Sequence, residues 1–307
     1  MRTVFFGTPE WAVPSLDALI ASRIGVAAVV TNPDRPAGRG MELRPSPVKR
    51  RALAAGIEVL QPARARTDEF HEQLRELAPD VATVVAYGKI LPASLLALPS
   101  RGFINLHFSL LPAYRGAAPV QRAIMEGNEV SGVSVIVLTE GMDEGPVLAS
   151  VAEEVTSDDT AGTLGERLAR MGAPLLVDSL AAFASGELAP VPQRHEDATY
   201  APKITTEEAR IDWRDRAAAI RNKVRGLNPV PGAWTTLLGK RVKVLLAQEA
   251  DFDGLNAGAL SQREGTLFVG TGERALELTL VQLQGKRAMS GGEAARGLRL
   301  APGEGFE

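Results

Sequence analysis

The stretch 80-DVATVVAYG-88 decides the fold. After its first aspartate it runs apolar and β-branched, with no wet-dry alternation, and a glycine closes it. That pattern marks a strand buried on both faces, the kind found in parallel sheets covered by helices. The same grammar repeats outward from it. Upstream, 3–6, 24–31 and 57–60 read as strands, set between helical patterns that begin near Pro14 and recur at 48–55 and 67–78. Downstream, 102–107 and 132–139 are strands around a helix at 117–126. Residues 147–155 alternate like an edge strand, and 160–171 and 173–185 are two helical patterns. Strand, helix, strand in this order predicts an α/β domain over 1–189 with a doubly wound, mostly parallel sheet. Ligands of such sheets sit beyond the carboxyl ends of the strands.

Residues 190–206 are polar and carry three prolines, which predicts a linker. From 207 the pattern changes. A helix at 214–226 is followed by short strands at 233–238, 240–248, 258–261, 265–270 and 275–283 with glycine-rich turns. This predicts a small OB-like β-barrel over 207–307.

The chain has 307 residues, enough for two such domains. Its net charge is −3, so a partner of one sign must be read from local clusters. There is no cysteine, which excludes disulfides, a thiolate nucleophile and thiolate metal sites. No apolar run of about 18 residues occurs and no secretory leader is visible, so the expectation is a cytoplasmic protein with no membrane partner.

Three residues stand out for chemistry. Asn105 and His107 lie two apart in 103-FINLHFSLLPAYRGAAP-119, at the end of a predicted strand, so their side chains share one side. Asp143 sits between Gly141 and Gly145, directly after another strand of the same sheet. A histidine at a strand end is as often a satisfied core residue, and an aspartate among glycines is usually a turn residue. Together, however, an amide donor, a proton carrier and a carboxylate suit nucleophilic attack on an acyl carbon without a metal.

Other patterns fail. Gly7-Thr8-Pro9-Glu10 is neither a dinucleotide fingerprint nor a phosphate loop, His71-Glu72-Gln73-Leu74-Arg75 lacks the second histidine of a zinc motif, and Ser109 lies outside any nucleophile elbow. Basic residues cluster twice. Arg35, Arg39, Arg44, Lys49, Arg50 and Arg51 fall within 31–51. Arg216, Arg221, Lys223, Arg225, Lys240, Arg241 and Lys243 fall within 216–243 with no acidic residue among them. Most such runs are solvated faces; in a chain of negative total they also suggest a surface for a phosphate backbone.

The segment 105–119 (NLHFSLLPAYRGAAP) with the downstream GMDEG at 141–145 resembles the folate-dependent formyltransferases. TNPDRPAGRG (31–40), PSPVK (45–49), VVAYGKILP (84–92), EEARIDW (207–213), NPVPGAW (228–234) and GKRAMS (285–290) are similar to the branch whose acceptor is methionyl-initiator-tRNA. The resemblance implies a Rossmann-like formyltransferase sheet, with 10-formyltetrahydrofolate as co-substrate and no metal. Its catalytic trio would be Asn105, His107 and Asp143. Ser109, Leu110, Leu111 and Pro112 would form a folate-binding turn, and Tyr87, Gly88 and Ile90 would place the backbone that receives the pterin. The loop 32–49 would grip the tRNA acceptor end, with Arg39 foremost beside Arg35 and Lys49, and the C-terminal barrel would hold tRNA backbone. A monomer is implied. Two positions depart from the family pattern: Phe108 stands where a small residue is usual and would narrow the folate side, and Met41-Glu42 replaces a more basic pair.

Overall fold

The computed structural model describes residues 1–37, 42–252, 254–298 and 304–307. They form two compact units. The first comprises Met1–Pro119, Ser131–Glu153 and Gly165–Ala201; the second comprises Val120–Val130, Glu154–Leu164 and Pro202–Glu307.

The path begins with β1 (Arg2–Gly7), α1 (Val13–Ala21), β2 (Gly25–Val30), a hairpin of β3 (Arg35–Ala37) and β4 (Glu42–Arg44), α2 (Pro47–Ala54) and β5 (Val59–Leu60). It continues through α3 (Asp68–Leu77), β6 (Val81–Val85), α4 (Ala93–Leu96), β7 (Phe103–His107) and β8 (Arg115–Gly116). Then come α5 (Pro119–Met125), β9 (Val130–Val137), β10 (Val147–Glu154), α6 (Ala161–Ser185) and β11 (Tyr200–Ala201). The remainder is α7 (Ala217–Gly226), β12 (Ala233–Leu237), β13 (Lys240–Ala250), β14 (Leu260–Arg263), β15 (Thr266–Gly270), β16 (Ala275–Leu283), β17 (Ala288–Ser290) and α8 (Gly291–Leu298).

The first unit is built on a seven-stranded sheet in the order β10-β9-β7-β6-β1-β2-β5. β1, β2, β5, β6 and β7 run parallel, and β9 joins β7 antiparallel. All five residues of β6 are buried, as the apolar run requires. The core on one face gathers Phe6, Phe70, Tyr87 and Phe103, with Phe6 meeting the Tyr87 ring edge-on at 5.4 Å. Helix starts follow local chemistry: Ser46 caps α2 by accepting from Lys49 N, with proline in the first turn, and Thr67 caps α3 by accepting from Phe70 N.

Three expectations change. The helices at 160–171 and 173–185 are one helix, α6, with Pro174 inside it. Buried Leu164, Leu168, Leu176 and Leu180 continue one stripe across the proline, and Gly172 falls on the same stripe against Leu106. Continuous burial outweighs the lost helical hydrogen bond. The loop 32–49 contains the β3–β4 hairpin, Arg35 opposite Arg44, whose three-residue strands are too short to show a period. Finally, 190–206 is not a free linker along its length. Val191 exchanges backbone hydrogen bonds with Val147, and β11 pairs parallel with β8.

The second unit carries an antiparallel sheet in the order β12-β13-β16-β15-β14, with β17 on β16. Its last residues join the two edges. Phe306 N–H donates to Gly258 O before β14, and Glu307 N–H donates to Thr236 O in β12. The sheet thus curves into the expected small barrel, and Phe306 stacks on Trp213 at 5.1 Å.

Candidate active site

The site lies at the carboxyl end of β7. Its five residues, Phe103 to His107, are all buried and alternate in direction, which sets Asn105 and His107 on one face. Among the described residues the Asn105 carboxamide has no hydrogen-bond partner, yet it is not one of the sealed, unpartnered polar groups. It is a free donor in the last residues of β7.

His107 is held firmly at one nitrogen. Its Nε2 lies 2.9 Å from Tyr114 O. A carbonyl only accepts, so Nε2 carries the hydrogen. Nδ1 faces Asp143 Oδ2 at 3.6 Å, an electrostatic contact beyond hydrogen-bond range. The same carboxylate oxygen accepts the Gly116 N–H at 2.9 Å. Asp143 reaches this position because its backbone is left-handed, at φ +54°. Gly145 makes the turn possible: a Cβ there would lie 1.7 Å from Val137 O.

Four residues that sequence reading passed over complete the arrangement. Tyr114 O orients the imidazole, and Gly116 N–H orients the carboxylate. Between them, Arg115 is 1% exposed and directs Nε and Nη2 to Gln193 Oε1 at 3.1 and 2.8 Å. Gln193 Nε2 in turn donates to Asp143 O at 2.8 Å and Gly145 O at 2.7 Å. Tyr114, Arg115 and Gly116 stood in the quoted segment but carried no periodic signal, and Gln193 lay in the expected linker.

The expected folate positions cluster nearby in the same unit. Ser109 Oγ donates to Ala113 O at 2.6 Å, and Ser134 Oγ donates to Ser109 O while accepting from Leu111 N. The hydroxyl of Ser109 therefore shapes the turn that presents Leu110, Leu111 and Pro112, all half-buried. Tyr87 buries its ring in the core, so what it offers a ligand is main chain; Gly88 and Ile90 beside it are exposed. Phe108 is buried, and its ring lies 5.8 Å from that of Trp11.

The expected tRNA contacts divide. Arg35, Lys240 and Arg241 are exposed, and Arg241 lies over the Trp234 ring at 4.0 Å. Lys49 is paired with Asp34 and Gln61, both at 2.7 Å, and that pairing holds the Asp34 carboxyl below its usual range. Arg221, Lys223 and Lys243 each donate to a main-chain oxygen, of Ser157, Arg210 and Pro231 respectively. Arg225 departs from expectation. It is buried, and its guanidinium is spent on Thr156 O, Asp159 O and Asn222 Oδ1, so it stitches α7 to 154–164 rather than facing a phosphate. Arg39 and Met41 lie outside the described residues.

The arrangement supplies a free hydrogen-bond donor, an imidazole with one committed and one available nitrogen, and a carboxylate behind it. Those are means to polarise a carbonyl and move a proton. Among the described residues no group of three or more acidic, histidine or cysteine side chains is placed to hold a metal, and no helix is long and apolar enough to cross a membrane.

Comparison with known proteins shows the family. Residues 1–180 match the formyl transferase family model, and 203–299 match the model for the formyl transferase C-terminal domain. A protein of Streptomyces griseus described as methionyl-tRNA formyltransferase is 54% identical over 306 residues, 99% of this chain and 99% of that one. Two solved structures share the fold. HypX from Aquifex aeolicus in complex with tetrahydrofolic acid has a TM-score of 0.66 at 18% identity, over 96% of this chain and 47% of HypX. An N-formyltransferase from Helicobacter canadensis in complex with folinic acid and dTDP-3-aminofucose has a TM-score of 0.67 at 17% identity, over 91% of this chain and 99% of the other.

Proposed function

The chain belongs to the formyl transferase family, and from that premise we propose that it moves the formyl group of 10-formyltetrahydrofolate to the α-amine of methionyl-initiator-tRNA, for translation initiation. The observation that carries this reading is the 54% identity, across both units, to a protein named for that activity. The site supplies its mechanism.

A free α-amino group titrates near about 8, so a neutral amine is available at physiological pH. It attacks the formyl carbon, and the carbonyl oxygen becomes an oxyanion. The unbonded Asn105 carboxamide donates to that oxygen, a contribution on the order of 10²–10³ in rate. The bond between the formyl carbon and N10 of the folate then breaks. One proton leaves the attacking nitrogen and one arrives at N10, so the balance closes without a co-reactant. His107 handles this proton at Nδ1, since Nε2 is committed to Tyr114 O, and Asp143 faces the charge that results. The SLLP turn and the main chain at Tyr87–Gly88 shape the folate side.

The acceptor is held by charge. Exposed Arg35 takes phosphate in the first unit and exposed Lys240 and Arg241 do so in the second, and Arg39, Lys49, Arg221, Lys223 and Lys243 add positive charge to the chain's hold on the tRNA. In this reading the chain works as a single copy in the cytoplasm, where charged initiator tRNA is consumed by translation.

The test is to offer a labelled formyl donor with charged initiator tRNA in one reaction and with an amino-sugar nucleotide in another. Label on the tRNA alone is expected. Label on the sugar alone would overturn the choice of acceptor while leaving the trio in place.

A further inference from the structure

We propose that Gln193, backed by Arg115, is a positioning residue that holds Asp143 against His107. A left-handed, non-glycine residue persists only where its surroundings fix it. Asp143 is such a residue, and the carboxamide of Gln193 grips its turn at two points, Asp143 O and Gly145 O. The other end of that carboxamide is fixed by the forked donors of Arg115. Arg115 is itself immobilised: its N–H donates to Thr199 O, it is all but fully buried, and its Nη1 faces His195 Nδ1 at 3.3 Å and Glu144 at 3.9 Å. Its neighbours in sequence, Tyr114 and Gly116, hold His107 and Asp143 directly. One strut thus runs from the 191–201 segment to both members of the imidazole–carboxylate pair. Gln193 acts through Asp143, whose turn it holds.

The chemistry of the carboxamide gives a discriminating variant. Gln193→Glu keeps an acceptor for Arg115 and adds an ion pair, but it loses both N–H donors to the turn. If Gln193 served only to satisfy the buried guanidinium, glutamate would replace it fully. If it positions Asp143, glutamate fails.

The inference rests on the formyl-transfer reading, and the two can fail separately. With charged initiator tRNA, Gln193→Glu is expected to lower kcat about tenfold or more, since misplacement near 1 Å costs up to about 10²-fold, with both KM values within about twofold. Gln193→Met, similar in size and with no donor, is expected to match it. On an Asp143→Asn background either change should cost less than about twofold more, because the strut then has no carboxylate to place. The ring resonances of His107 report positioning without turnover and are expected to move in Gln193→Glu. Wild-type kcat in both variants, an equal loss on the Asp143→Asn background, or unmoved His107 resonances would each overturn the proposal. A wild type that formylates no tRNA, with His107 resonances that do move, would sink the functional reading and leave the strut standing.

Discussion

The imidazole of His107 gives its Nε2–H to the main-chain oxygen of Tyr114 at 2.9 Å, which leaves Nδ1 as the nitrogen facing Asp143, 3.6 Å away. The ring is therefore oriented by backbone, and the carboxylate answers to charge at Nδ1. A proton arriving there becomes a donor aimed at Asp143 Oδ2, and the imidazolium has an acceptor at each nitrogen.

Asp143→Asn tests that division of labour. Its carbonyl oxygen can still take the Gly116 N–H, so the turn survives. That oxygen is also the atom facing Nδ1, and in the amide it no longer carries the charge that steadies a proton arriving there. Turnover is expected to fall about 10²–10⁴-fold, with KM for the formyl donor nearly unchanged. Steady-state kinetics decide it. A variant within twofold of wild type would show that no proton passes Nδ1.

Asn105→Ala separates chemistry from stability. The amide has no protein partner among the described residues, so its removal leaves no buried group unpaired. The thermal midpoint should stay within about 2 °C of wild type, while kcat falls on the order of 10²–10³-fold. A large loss of stability with little loss of kcat would make Asn105 a core residue.

Much of the first unit was legible because its strands are long apolar runs whose burial shows in one dimension. Asn105 and His107 share a face by the two-residue period alone, and Asp143 followed from its place after a strand of the same sheet. What stayed hidden depends on contacts distant in sequence. Nothing local to Gln193 announces that its amide spans 48 and 50 residues to Gly145 and Asp143. The acid-free run 216–243 looked uniformly basic, yet Arg225 finds Thr156 O across 69 residues and Arg216 finds Glu273 across 57. The two helical patterns at 160–171 and 173–185 are one helix, because a stripe of buried leucines runs through the gap between them.

Tyr87 offers a test at high pH. Its hydroxyl is buried without a partner, and burial pushes the phenol up to about 12. Because the folded value lies above the unfolded value near 10, the linked stability is complete below about pH 10 and is lost as pH rises through 12. Tyr87→Phe removes both the unpaired hydroxyl and this titration. Its midpoint at neutral pH should rise by roughly 2–4 °C, and its decline between about pH 10 and 12 should be shallower than wild type. Calorimetry across that range checks it; a midpoint lower by a similar amount would mean that the hydroxyl is satisfied after all.

Arg225 and Arg241 are both arginines of the basic run, and the structure separates their roles. Arg225 is buried, and losing it removes its hydrogen bonds to the main-chain oxygens of Thr156 and Asp159. Hydrogen bonds from a charged donor are worth about 1.5–3 kcal/mol each, so Arg225→Ala should lower stability by roughly 3 kcal/mol. Arg241 is exposed over Trp234, a contact worth at most about 1 kcal/mol at such a site. Arg241→Ala should therefore leave the midpoint nearly unchanged, raise KM for charged tRNA, and reduce the salt dependence of binding by about one phosphate contact. Melting curves beside tRNA titrations at several salt concentrations distinguish the two. An Arg241→Ala protein with wild-type KM and salt slope would remove this face of the barrel from the tRNA surface.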